Sequence, residues 1–119
     1  MTNSREKGKQ GERDLAHFLE IFGFRARRSQ QYAGANGDAD VVGVPGLHIE
    51  CKRVERLNID NALAQATKDA KDGEIPIVFH RKNRTRWKVT LDADQFMYIY
   101  IIFLKATGEL KEEKDGEGK

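Results

Sequence analysis

"GDADVVGVPGLHIECKR", residues 37–53, sets two aspartates, a glutamate and a lysine among residues that otherwise belong in a core. Val41-Val42 is one apolar step and Leu47 with Ile49 another, while Val44-Pro45-Gly46 between them reads as a turn. The pattern predicts a hairpin of strands 39–43 and 47–53. With a three-residue turn, Gly43 faces Leu47, Asp40 faces Glu50 and Asp38 faces Lys52. Side chains alternate along a strand, so these four charges share one face and Val41, Ile49 and Cys51 take the other. Slipping the register by one residue separates the two acids.

Opposed residues on paired strands have Cβ atoms about 4.5–5.5 Å apart, and like charges there repel. Lys52 supplies one neutralising charge. A hard divalent cation supplies another, because Mg²⁺ prefers carboxylate and water oxygens, and the backbone carbonyl of Cys51 adds a further oxygen. Two acids and a lysine around Mg²⁺ are the parts needed to activate water and hold a phosphate. A surface ladder of ion pairs without catalysis is the competing explanation of the same spacing.

Upstream, Leu15, Phe18, Leu19 and Phe22 recur at helical spacing, which predicts an amphipathic helix over 8–22 capped by Gly23, with residues 1–7 frayed. Residues 24–28 read as a short strand and 29–37 as a Gln-, Gly- and Asn-rich loop. Downstream, 60–71 reads as a helix with Ala62, Leu63, Ala66 and Ala70 on one side. Residues 75–80 read as a central strand buried on both faces, with Pro76 near its start. In 86–91, Trp87, Val89 and Leu91 face one way. The β-branched and aromatic run of 92–105 suits a strand, but Asp92 as a cap and Met97, Tyr100, Ile101 and Leu104 on one stripe favour a helix. The expected fold is α/β (mixed α+β), a mixed sheet flanked by helices. One domain is expected over 1–105, with a disordered charged tail over 106–119.

The 119 residues suit one domain, and 34% of them are charged. The net charge is only +2, but the last eleven residues hold five acids and three bases, so the body is more basic than the total. Bases cluster at Arg25, Arg27 and Arg28 and again from Arg81 through Lys82, Arg84 and Arg86 to Lys88. Such clusters suit DNA phosphates or, equally, an ordinary solvated surface. The single cysteine allows no internal disulfide and suits a reducing cytoplasm. No Cys/His set has zinc spacing, and the longest apolar run, 96–104, is too short to span a bilayer, so no membrane partner is expected.

"DADVV…HIECK" resembles the PD-(D/E)xK nuclease signature, with Ala39 where a proline usually stands. The opening "KGKQGERDLAHFLEIFGF" is similar to the first helix of archaeal-type Holliday-junction resolvases and their bacteriophage relatives. The resemblance runs from about residue 7 to 91. It implies a restriction-endonuclease-like fold, with Asp40 and Glu50 as metal ligands and Lys52 orienting or deprotonating the attacking water. It implies that Glu12, an acid on the inward stripe beside Leu15 and Leu19, supports the metal site; a first-turn acid facing the helix dipole is the alternative. Gln65 and Ser29 take supporting roles by the same resemblance. Asp38 pairs with Lys52 or supports the site, and His48 reads as a rim residue. Gly8 and Gly11 let backbone approach phosphate or merely loosen the helix start.

The expected activity is that of a Mg²⁺-dependent DNA endonuclease, with Mn²⁺ substituting, that cuts four-way junctions in recombination and repair. Arg25, Arg27, Arg28, Lys82, Arg84 and Arg86 would hold phosphates without reading sequence. A flap or nicked-duplex nuclease and a catalytically silent DNA-binding module are the alternatives. Two symmetric cuts call for a two-fold homodimer, and residues 96–104 are apolar on every side if helical.

Overall fold

The structure, a computed structural model, describes residues 4–29 and 39–110. Helix α1 (Ser4–Glu20) is followed by strands β1 (Arg27–Arg28), β2 (Val41–Val42) and β3 (Leu47–Arg53). Helix α2 (Ile59–Asp69), strands β4 (Ile75–Arg81) and β5 (Lys88–Thr90), and helix α3 (Ala93–Ala106) complete the order. The strands form one sheet in sequence order. Only β3 and β4 run parallel, and α2 is the crossover that parallel pairing requires. The expected mixed sheet with flanking helices is therefore the fold.

The hairpin takes the register set by a three-residue turn: Val41 pairs with Ile49. Gly43 ends β2 with φ +101°, and a Cβ there would lie 2.2 Å from the Arg25 carbonyl oxygen. Only glycine lets the backbone before β1 come so close.

Alternation along the strands divides the core in two. On one side, Leu15, Ala16 and Leu19 of α1 bury Val41, Ile49, Cys51, Ile77 and Phe79, with Trp87 and Leu91 packed at the margin. Val78, fully buried, points to the opposite side. There α2 packs on β3 and β4 through the small buried residues Ala62 and Ala66. Strand β4 is buried through its middle, as a central strand should be.

Several boundaries differ from expectation. Helix α1 begins at Ser4, so residues 4–7 are helical and Glu12 lies in mid-helix, away from the dipole's first turn. A Gln10–Asp14 hydrogen bond of 2.8 Å and a Glu6–Arg13 ion pair of 3.5 Å support this polar stretch. Gly11 is buried with its Cα against Arg53, so it serves helix-to-strand packing and not access for a phosphate. Asn58 caps α2 by accepting from the Asn61 N–H at 3.0 Å. Strands β1 and β5 are shorter than the apolar pattern suggested, and Val89 is half exposed.

Helix α3 closes with Gly108 at φ +83° and a bond from the Glu109 N–H to the Leu104 carbonyl of 2.8 Å. Residues 107–110 thus form the helix's closing turn, and 111–119 of the expected tail lie outside the described residues. No residue of α3 is buried, and it packs substantially on no other element. The molecule is accordingly elongated, 62 × 28 × 27 Å.

Candidate active site

The ladder between β2 and β3 breaks at Asp40. Its N–H donates to the Ile49 carbonyl at 2.9 Å, and its carbonyl accepts from the Ser29 N–H at 3.0 Å. Its carboxylate Oδ2 accepts the Cys51 N–H at 2.8 Å, taking the place of a backbone acceptor. Asp40 is therefore fixed by β1 and β3 together. The N–H and C=O of a strand residue leave on the same edge, so the Cys51 carbonyl also faces the Asp40 side.

Glu50 is 9% exposed, and Lys52 Nζ stands 3.8 Å from its Oε2. Burial pushes the Asp40 carboxyl up to about 6; the Cys51 N–H opposes that rise and the Glu12 charge adds to it. Burial raises Glu50 further, to about 7, and the Asp40 charge raises it again. Each acid is thus hindered from ionising by burial and by a neighbouring acid, Glu12 for Asp40 and Asp40 for Glu50. Burial likewise raises the Cys51 thiol, which belongs to the core as expected. A buried thiol that holds its proton is a poor nucleophile.

Glu12 reaches this cluster from α1 and accepts from Arg28 Nε at 2.8 Å. Arg28 is therefore engaged by Glu12, with its side chain still partly exposed. Ser29 is nearly buried beside Asp40. Gln65 is exposed, donates to Asp69 at 2.6 Å, and lines one cleft with Lys52, Arg56, Asn58 and Asn61. His48 is not a rim residue: it is 1% exposed, with Nδ1 3.3 Å from Glu74 Oε1. Asp38 lies outside the described residues.

The bases divide between two ends of the sheet: Lys52, Arg53 and the run after β4 lie at the C-terminal ends of β3 and β4, whereas Arg27 lies opposite Val42 and the Arg25 backbone against Gly43, toward the hairpin turn. Lys52 pairs with His80 and Arg53 with Arg81 at the C-terminal ends of β3 and β4. Lys82, Arg84 and Arg86 are exposed on the following turn, and Arg25 and Arg27 are exposed near β1. Glu55 holds that turn by accepting the Asn83 N–H at 2.7 Å. Asp14 lies 3.1 Å from Arg53 and 3.6 Å from Arg81, and Arg81 stacks on Trp87 at 5.1 Å. Sequence reasoning missed Arg53 and Asp14. Strand alternation from Cys51 was the signal that Arg53 turns toward α1.

The donor set suits a hard cation. Two carboxylates that resist ionising together offer oxygens, and Mg²⁺ uses one or two carboxylates and keeps waters. Among the described residues no three His, Cys, Asp or Glu side chains form a closed metal cage. The carbonyl of Cys51 is the remaining oxygen on that side.

A family described as "phage putative PDDEXK endonuclease" matches residues 3–107. Among solved structures, the Holliday junction resolvase Hjc of the archaeal hyperthermophile Archaeoglobus fulgidus is similar, with a TM-score of 0.56 and 26% identity. The match covers 71% of this chain and 72% of that one. No curated protein matches the chain. With the mixed sheet, the Asp40–Glu50 pair and Lys52 already in place, the match across nearly the whole length means that the chain belongs to the phage PD-(D/E)xK endonuclease family.

Proposed function

We propose that the protein is a Mg²⁺-dependent DNA endonuclease that hydrolyses phosphodiester bonds in branched DNA, four-way junctions foremost. The observation that carries this reading is the buried Asp40–Glu50 pair beside Lys52. Burying two mutually repelling acids is costly unless the site is built for a cation.

Asp40, Glu50 and the Cys51 carbonyl would hold the metal. Bound there, Mg²⁺ supplies Lewis-acid stabilisation of the phosphoryl oxygens and a lower pKa for bound water. Lys52 orients the attacking water in line with phosphorus, and its charge offsets the negative charge that develops on phosphate. Glu12 supports the site from α1, held in place by Arg28. Ser29 fixes the Asp40 backbone, and Gln65 lines the approach past Lys52. Arg25, Arg27, Arg28, Lys82, Arg84 and Arg86 take backbone phosphates, which position DNA without reading bases. Mn²⁺ substitutes for Mg²⁺.

Similarity to a Holliday junction resolvase favours the junction as substrate. Two symmetric cuts then call for a two-fold homodimer. No helix among the described residues is long and apolar enough to cross a membrane, and the reading places the enzyme in the cytoplasm with the DNA. The family description specifies an endonuclease and no substrate, which keeps a flap or nicked-duplex nuclease as the second reading.

A panel of end-labelled four-way junction, flap, nicked and linear duplex, with Mg²⁺ or EDTA, tests the proposal. Paired symmetric cuts in the junction, dependent on Mg²⁺ and at least about 10-fold faster than on the other substrates, are expected; a 10-fold preference corresponds to about 1.4 kcal/mol. Preference for flaps selects the second reading. Binding without cleavage of any substrate overturns both.

A further inference from the structure

Helix α3 carries a surface that the nuclease site does not use. From Gln95 to Leu104 it has no charged residue. Phe96, Met97, Tyr98, Ile99, Tyr100, Ile101, Ile102 and Phe103 are each between 38% and 63% exposed, so apolar surface faces out around the whole helix. A helix apolar all round is covered by something, and among the described residues nothing in the monomer covers this one.

We propose that α3 is the self-association surface of this chain, pairing antiparallel with α3 of a second copy across a two-fold axis between Ile99 and Tyr100. Four observations favour a second copy over other occupants. First, the helix is about 21 Å long at 1.5 Å per residue, well short of a bilayer. It also lacks the charged face of a helix lying on a lipid surface. Second, the absence of charge over 95–104 excludes nucleic acid, which needs cationic contacts.

Third, Phe96, Tyr100 and Phe103 already stack along one side, with ring centroids 6.0 and 6.3 Å apart. Together with Ile99 they form a stripe centred midway between 99 and 100. Such a stripe presents Phe96 to the partner's Phe103 and Phe103 to the partner's Phe96, the reciprocity that an isologous two-fold contact requires. Fourth, the area is sufficient. The exposed parts of these eight side chains amount to roughly 700 Å² per copy, close to the ~800 Å² per partner of a standard stable interface; the stripe carries about half of it, and the rest meets the partner's body. The other exposed large hydrophobics among the described residues, Ile21, Phe22, Phe24 and Val89, lie on the body, where a second copy can cover them in return.

The proposal names the surface of the dimer invoked above, but its support comes from α3 alone and its test needs neither DNA nor metal. Loss of the junction reading therefore leaves it standing, and its failure leaves the nuclease site untouched. Sedimentation of the full chain at micromolar concentration in EDTA is the experiment, for wild type and for Tyr100→Glu and Phe103→Glu. Because α3 makes few contacts with the other elements among the described residues, both variants should keep the body's circular dichroism and unfolding transition. The expected result is a wild-type dimer and a rise of about 100-fold in its dissociation constant in each variant, as for central interface anchors. A monomeric wild type, a ladder of larger species, or variants that dimerise like wild type overturn it. Should one variant fail to fold, Ile99→Asn gives the same reading with a smaller change of side chain.

Discussion

Replacing Glu50 by glutamine should stabilise the metal-free protein at pH 8 and change it little at pH 4.5. Burial and the Asp40 charge raise the folded-state pKa of Glu50 from 4.5 to about 7. The unfolded chain therefore releases this proton first. Stability is fully present below pH 4.5, declines as pH rises through the interval, and levels off above 7. A shift of two to three units corresponds to about 3 kcal/mol at 1.36 kcal/mol per unit. Glutamine keeps the shape and removes both the buried charge and its repulsion of Asp40, so a gain of about 2 kcal/mol is expected at pH 8. At the entropy of unfolding of a domain this size, that is a rise of about 10 °C in Tm. Thermal unfolding of wild type and Glu50→Gln in EDTA at the two pH values measures it. A variant no more stable than wild type at pH 8, or a difference independent of pH, is incompatible with a buried Glu50 carboxylate repelled by Asp40.

Saturating Mg²⁺ should reverse that order, raising wild-type Tm by about 10 °C at 100 times its dissociation constant and leaving Asp40→Asn unmoved in the same melt. Arg84 sits in a left-handed turn conformation at φ +62° that glycine adopts more easily. Arg84→Gly should therefore raise stability by up to about 1 kcal/mol in urea titration while lowering the salt dependence of DNA binding by about one ion. Gly43→Ala should cost at least about 3 kcal/mol by the same titration, because its Cβ would meet the Arg25 carbonyl and part β1 from β2.

The parts of this protein that local rules govern were legible in the sequence. A three-residue turn and the alternation of Val41, Ile49 and Cys51 determine the hairpin register, and with it the meeting of Asp40 and Glu50. The start of α1 was not legible, since residues 4–7 carry no apolar period and Glu6 pairs instead with Arg13 along the helix. Misplacing that start put Glu12 in a first turn it does not occupy. Its partner Arg28 is sixteen residues away on a two-residue strand, a contact that no periodicity encodes. His48 read as a rim residue because its partner, Glu74, lies across the β3–α2–β4 crossover. The run of β-branched and aromatic residues in α3 suits a strand as well as a helix, and helix was the favoured reading of the two. Whether the monomer's own sheet covers it is a tertiary matter, and the structure leaves it bare.

The central claim is that Asp40, Glu50 and Lys52 form a metal-dependent phosphodiesterase site. The most direct test is single-turnover cleavage of an end-labelled four-way junction, started with Mg²⁺, by wild type and by Glu50→Gln, with junction binding measured separately in EDTA. Binding within about 3-fold of wild type is expected, because the phosphate contacts lie on the separate arginines and lysines. Cleavage should be slower by at least about 10³-fold, because the variant loses a carboxylate that would hold the metal. Near-normal turnover by Glu50→Gln would contradict the claim.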